Sequence, residues 1–399
     1  MAAYGRVTAL TPGEDHIPFA RTVICDEAIE AAVRVLNSGW VTTGPEVVQF
    51  EQEFSAIVGA DEAVAVSSCT AAIEIALRSL QLRAGSRVLT STLTFCGAVH
   101  AIVHAGLRPV LVDVDPDTLM PSPRTVAAAR ERAGGAEAMV VLHFAGHPAA
   151  VQDLALAAGL PLGRVIEDAA HALGTYVGDR PVGSISAATC FSFYATKNLP
   201  IGEGGMITGC DPELAERWRV LRLHGMSRDA WKRYLPGASW RYAVTDDGIK
   251  SNMTDLSAAI GRAQLRHFER WQRRRETLAS LYDLNLKEVQ GVRRPPVASI
   301  GRHAWHLYVV RVACDRDRLI ESLGGQGIDC SVHFIPIHRH LYFRQLLGES
   351  ECQSVPVADA EWGQIVSLPF HSELDEDSVQ RICQALADMV PAEAGGHRS

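Results

Sequence analysis

Several things are missing from this 399-residue chain, and each absence narrows what it can be. Its nine cysteines include no Cys-x-x-Cys pair and are odd in number, which fits a reducing cytoplasm. The opening MAAYGRVTAL lacks a basic segment followed by an apolar run, so no signal peptide is read there and a cytoplasmic location is expected. No window holds 18 uninterrupted apolar residues, so neither a spanning helix nor a membrane partner is expected. Basic residues are outnumbered, 38 against 46 acidic for a net charge of -8, and nowhere form a concentrated face, which argues against nucleic acid as a partner. Neither a GxGxxG nor a P-loop pattern occurs, leaving a conventional dinucleotide or ATP site without support. There is no internal repeat and no low-complexity block, and only Ala392 to Ser399 reads as a disordered tail.

What remains is a globular chain, 47% hydrophobic and long enough for a large core and two domains. After an extended Ile17 to Thr22, Asp26 opens a helix that stops near Gly39, and Val47 to Val58 shows helical spacing before Gly59. Short apolar runs follow at Ala63 to Val66, Arg87 to Thr92, Pro109 to Val114, Ala138 to His143, Arg164 to Glu167, Thr189 to Phe193 and Gly205 to Thr208. Amphipathic segments alternate with them at Ala71 to Leu82, Gly97 to Ala105, Ser122 to Ala133 and Ala149 to Ala158. The alternation predicts a mostly parallel sheet covered on both faces, with ligands collecting at the carboxyl ends of its strands. Met226 to Tyr242 reads as a lid or insertion, and Asp255 opens one long helix to about Leu284 that joins the domains. A smaller α/β unit follows, with strands at Trp305 to Val312 and Asp329 to Phe334 and helices at Arg316 to Gly324, near Asp359 and at Asp375 to Val390. We expect a large domain over 1–255 and a linking helix with a small C-terminal domain over 256–399.

Four separated motifs carry chemistry. In FSFYATKNLPIGEGG, from Phe191 to Gly205, Lys197 follows a strand and precedes three glycines. An isolated lysine is ordinarily a solvated loop residue, and here it is a candidate amine delivered into a backbone-crowded site. SSCTAA, from Ser67 to Ala72, follows a strand and opens a helix; it is either a capping turn or a phosphate cradle at a helix N-terminus. Phe95 in TLTFCGAV is either core or a ring lying over a planar cofactor. In EDAAH, Asp168 is either a helix cap or a buried carboxylate needing a cation, which a protonated pyridine nitrogen would supply. Ser192 either joins the phosphate site or satisfies local backbone.

Taken together, SSCTAA, TLTFCGAV, EDAAH and FSFYATKN with GEGG resemble the DegT family of nucleotide-sugar aminotransferases, and GWVTTGPEV, SNMTDLSAAIGRAQL, AWHLYVVRV and VHFIPIHRHLYF extend the likeness over nearly the whole chain. Within that family the arabinose-type branch, which aminates a UDP-linked 4-keto pentose, is the nearest in pattern. The resemblance implies a fold type I enzyme dependent on pyridoxal 5'-phosphate, passing through pyridoxamine 5'-phosphate during turnover. It implies Lys197 as the residue bonded to the cofactor, Asp168 at the pyridinium nitrogen, Phe95 stacked on the ring and His171 beside its phenolic oxygen. It further implies Thr70, Ala71 and Ser192 at the phosphate, with Asn252 reaching the phosphate of a neighbouring subunit in a homodimer with shared sites. Ile249 and Ser251 depart from the aromatic residues common in the family, and Asn252 replaces its commoner arginine.

The same likeness implies a TDP- or UDP-linked 4-keto sugar as substrate and glutamate as amino donor. Thr43 in GWVTTGP and His338 in FIPIHRHL are implied as sugar contacts, with Arg228, Lys232, Arg233 and Arg339 as candidates for offsetting the diphosphate. His333, His338 and His340 lack an accompanying carboxylate or cysteine set, so no metal is expected. The alternatives are a 3-keto-sugar aminotransferase, a sugar dehydratase in which histidine replaces the lysine, and a non-catalytic binder of the same cofactor.

Overall fold

The computed structural model describes residues 15–227 and 241–390. The segment holding Arg228, Lys232 and Arg233, which is most of the expected lid, and the tail from Ala392 lie outside the described residues.

Two helices lead in, α1 (Asp26–Ser38) and α2 (Pro45–Val58), each closed by a left-handed glycine, Gly39 and Gly59. The main sheet is then laid down by β1 (Glu62–Val66), β2 (Arg87–Ser91), β3 (Arg108–Val112), β4 (Ala138–Leu142) and β5 (Val165–Asp168). A small hairpin of β6 (Tyr176–Val177) and β7 (Arg180–Pro181) precedes its last two strands, β8 (Ala188–Ser192) and β9 (Gly205–Gly209). Between strands lie α3 (Cys69–Ser79), α4 (Cys96–His104), α5 (Pro123–Ala133) and α6 (Val151–Ala158), with α7 (Pro212–Leu221) after β9.

The seven strands run in the order β1-β9-β8-β5-β4-β2-β3. Neighbours from β3 across to β8 are parallel, while β9 is antiparallel to both β8 and β1. The strands read as apolar runs because helices cover both faces, burying clusters around Leu89, Val141 and Leu154 and around Ile73, Ile166 and Trp218. With one strand reversed, every parallel strand ends on the same edge. Val66, Ser91, Asp168 and Ser192, the last residues of β1, β2, β5 and β8, therefore point the four motifs at one place.

One expectation is overturned at Asp255. The predicted single helix to Leu284 is two helices, α8 (Asp255–Leu265) and α9 (Phe268–Leu286). The pieces serve different cores: Ala259 and Ala263 of α8 pack on Ala28, Ala31 and Val35 of α1, whereas Leu278, Tyr282 and Leu286 of α9 pack with the C-terminal sheet. Gly261 of α8 lies where a Cβ would come within 2.7 Å of the Phe50 ring, so α8 seats tightly on α2 as well.

Beyond α9 come β10 (Val292–Arg293), β11 (Gly301–Arg302), β12 (Tyr308–Val312), α10 (Arg316–Gly325), the short helices α11 (Leu341–Leu347), α12 (Glu349–Cys352) and α13 (Pro356–Trp362), β13 (Ile365–Leu368) and α14 (Glu376–Met389). Strands β10, β12 and β13 form an antiparallel sheet, and β11 joins the β6–β7 hairpin. The expected strand at Asp329 to Phe334 does not form. Asp329 donates its N–H to Ile17 and Ser331 pairs with Ser367, so two different neighbours hold the segment and no continuous ladder can grow.

Candidate active site

The strand ends enclose a cavity of about 500 Å³. Ser68, Thr70, Phe95, Asp168, His171, Ser192 and Lys197, seven of the residues singled out from sequence, line it.

Lys197 follows β8 through a turn in which its N–H donates to the Tyr194 carbonyl at 2.9 Å. Lys197 is half-buried in the cavity wall, and desolvation lowers its pKa from 10.5 to about 8, against the pull of Asp168. Asp168 is buried at the end of β5. It accepts the Ala170 N–H at 3.1 Å and faces the Cys69 thiol at 3.8 Å; burial raises its pKa, partly offset by Ala170, Lys197 and His143. With only weak donors and no arginine beside it, this carboxylate suits a cationic ring nitrogen from outside.

Behind it, Glu167 points to the other face of β5. It accepts from His143 Nε2 at 2.9 Å, Ser186 Oγ at 2.7 Å and Thr189 Oγ1 at 3.2 Å. The Ala149 N–H donates to His143 Nδ1, so the imidazole proton sits on Nε2 and faces the carboxylate. The fully buried His143–Glu167 pair fixes β5 next to Asp168.

At the opposite end, α3 begins at Ser68, whose hydroxyl accepts the Ala71 N–H at 3.2 Å. The capping and cradle readings of SSCTAA therefore coexist: Ala71 is committed to the cap, while Ser68, Cys69 and Thr70 face the cavity with the positive end of the helix. Gly205 makes the turn possible, since a Cβ there would lie 2.5 Å from the Ser68 carbonyl carbon. Ser192 is half-buried, and its hydroxyl accepts the Tyr194 N–H at 3.4 Å while lining the cavity.

Phe95 is 58% exposed, with its ring at the cavity rather than in the core. His171 is buried; its Nδ1 accepts the Ala145 N–H at 3.2 Å, and burial holds the ring well below its usual pKa. Phe334 closes over both, its ring centroid 6.0 Å from Phe95 and 5.7 Å from His171, with His333 beside it.

Three expected residues sit elsewhere. His338 is buried between Thr92 Oγ1 at 2.8 Å and Asp359 Oδ1 at 3.0 Å, outside the cavity lining, so both ring nitrogens are engaged in holding the loop. Thr43 is buried and donates to the Met253 carbonyl at 2.6 Å, while Asn252 donates to Thr43 at 2.6 Å and accepts from Lys250. Neither lines this chain's own cavity. His333 turns to Ser367, His340 to the Ile335 carbonyl and Arg339 to Asp359 and the Trp362 ring, so these side chains diverge.

Sequence reasoning missed His306. Its Nε2 lies 3.5 Å from Lys197 Nζ. It stood inside AWHLYVVRV, but nothing in an apolar strand context marks a histidine as reaching a lysine 109 positions earlier.

A lowered-pKa lysine and a buried aspartate on one edge of a mostly parallel sheet, facing a helix N-terminus across an aromatic-walled cavity, define a fold type I pyridoxal-phosphate-dependent transferase. Comparison with known proteins gives the family. Residues 23–387 match the DegT/DnrJ/EryC1/StrS aminotransferase family, and the chain belongs to it. It is 43% identical over 382 residues to the spore coat polysaccharide biosynthesis protein SpsC of Bacillus subtilis, covering 94% of this chain and 97% of that protein. Among solved structures it resembles the putative sugar aminotransferase Spr1654 from Streptococcus pneumoniae in its PMP form, with a TM-score of 0.85, 28% identity and coverage of 93% and 98% of the two chains. It also resembles S. venezuelae DesV in complex with a ketimine intermediate, with a TM-score of 0.82, 32% identity and coverage of 94% and 98%. The protein is thus a sugar aminotransferase of this family that uses pyridoxal phosphate.

Proposed function

We propose that the protein transfers an amino group from glutamate to C4 of a TDP- or UDP-linked 4-keto sugar. The observation that carries the chemistry is the half-buried Lys197 amine, lowered to about 8, sharing its cavity with buried Asp168. An amine so tuned is in part neutral near pH 8, able to bond to the cofactor's aldehyde and, once freed by the donor, to take up and return a proton. Bound there, pyridoxal phosphate supplies an electron sink for the carbon that loses its proton. Asp168 would hold the ring nitrogen, Phe95 one ring face and Ser68, Thr70 and Ser192 the phosphate. Retention of Lys197 disfavours the dehydratase reading, and the complete set disfavours a non-catalytic binder.

The nucleotide-linked 4-keto sugar rests on the arabinose-type pattern and on likeness to a polysaccharide biosynthesis protein. TDP- and UDP-linked 4-keto and 3-keto sugars, each incubated with glutamate or glutamine, test it. Reaction with a 4-keto sugar is expected and is lost in Lys197→Ala; exclusive reaction with 3-keto sugars overturns the regiochemistry.

We further propose a homodimer with shared sites. Asn252 and Thr43 lie outside the lining of their own cavity, and α1 presents an exposed apolar stripe of Ile29, Val33 and Leu36. The boundary between the two domains is best placed at Arg266–His267, where α8 ends and α9 begins, rather than at 255.

A further inference from the structure

We propose that His306, locked by Asn198, is the hydrogen-bond acceptor that orients the Lys197 amine and tunes its hold on a proton. This rests on Lys197 being the reactive amine, as read above. Asn198 directly follows Lys197, and its side-chain nitrogen donates to the Ala304 carbonyl at 3.0 Å, with Gln272 Oε1 at 3.5 Å. Those contacts aim its oxygen at His306 Nδ1, 3.0 Å away, so the imidazole proton sits on Nδ1. The lone pair of Nε2 then faces Lys197 Nζ at 3.5 Å. Arg275 fixes the other side of the histidine by donating to the Trp305 and His306 carbonyls at 3.1 and 3.2 Å.

A ring held in this tautomer can accept from the lysine but cannot donate to it. An amine giving one N–H to Nε2 keeps its remaining positions for the cavity, which is where a bond or a proton must be exchanged. Burial first, then the positive charges of Lys197 and Arg275, hold His306 well below its ordinary pKa, so it stays neutral and open as an acceptor. Around the lysine itself, Asp168 favours the ammonium, while His171 and His333 face it as neutral rings. His306 thus offsets part of the desolvation that would otherwise drive the amine further down.

The test uses the apo full-length chain and no turnover. Pyridoxal phosphate is added across pH 6 to 10, borohydride fixes the adduct, and mass spectrometry of the Lys197 peptide gives trapping rate against pH. The wild type is expected to show a midpoint at about 8. His306→Leu, which keeps volume and removes the acceptor, is expected to bind the lysine proton about tenfold more weakly. His306→Gln, whose amide oxygen reaches the same place, is expected to restore the wild-type midpoint. Asn198→Ala, which releases the tautomer, shifts the midpoint in the same direction as His306→Leu by less, and serves if that variant does not fold. An unmoved midpoint in both His306→Leu and Asn198→Ala, or a His306→Gln midpoint displaced as far as that of His306→Leu, overturns the inference. Failure of the keto-sugar panel with these midpoints intact would instead overturn the substrate reading alone.

Discussion

Lys197 makes the apo-protein's stability rise with pH, as a carboxylate of lowered pKa does, but in an alkaline window and through a charge that costs stability instead of adding it. Its folded pKa of about 8 lies below its ordinary 10.5, so between those values the unfolded chain binds more protons and stability rises with pH. Below about pH 8 both states are protonated and the desolvation cost is fully present. Lys197→Met is therefore expected to stabilise the apo-protein at pH 7 by up to roughly 3 kcal/mol, with the difference shrinking between pH 8 and 10.5 in urea unfolding. Asp168→Asn has a different reach: it removes a charge worth on the order of 4 kcal/mol against a ring cation, so turnover should fall roughly a thousandfold with little loss of fold. Both residues were readable in FSFYATKN and EDAAH because strand-end position and small neighbours are sequence properties. His306 was not, since its role depends on a tautomer set by Asn198. His338 misled for a related reason, because a histidine between Thr92 and Asp359 and one facing substrate look alike until their neighbours are known.

Among the elements, β5 bears the heaviest demand, carrying the cavity carboxylate Asp168 on one side and Glu167 on the other. Glu167→Ala would leave buried His143 and Thr189 without their acceptor, at an expected cost of about 3–5 kcal/mol. Glu167→Gln keeps shape and one acceptor and should cost less; chemical denaturation of the two variants side by side checks the ordering. The strands of the main sheet were legible as apolar runs, and their common edge followed from alternation. The break between α8 and α9 was not, because Arg266 and His267 are tolerated inside a helix and only the two separate cores they serve require a stop. The 329–334 segment failed as a strand for the complementary reason, having β-forming residues but no single partner along its length.

For the whole molecule, the sheet, the helix N-terminus and the lysine gather Ser68, Thr70, Asp168, Ser192 and Lys197 around one cavity, whereas Asn252 lies outside its lining. Mixing inactive Lys197→Ala with Asn252→Asp chains under exchange should restore about a quarter of wild-type turnover, because half the random dimers carry one intact composite site. No recovery, with sedimentation showing mixed dimers, would mean the sites are not shared. Among the described residues no helix is long and apolar enough to cross a membrane. The burial of Cys69 beside Asp168 carries a further consequence, for oxidative damage. Desolvation and the neighbouring carboxylate keep that thiol far above its ordinary pKa, and Cys190 likewise, so neither offers a thiolate to peroxide or to alkylating reagents. Cys210, just after β9, is exposed, and an oxidant or a maleimide dye meets it first, leaving the two sulfurs next to Asp168 unreacted.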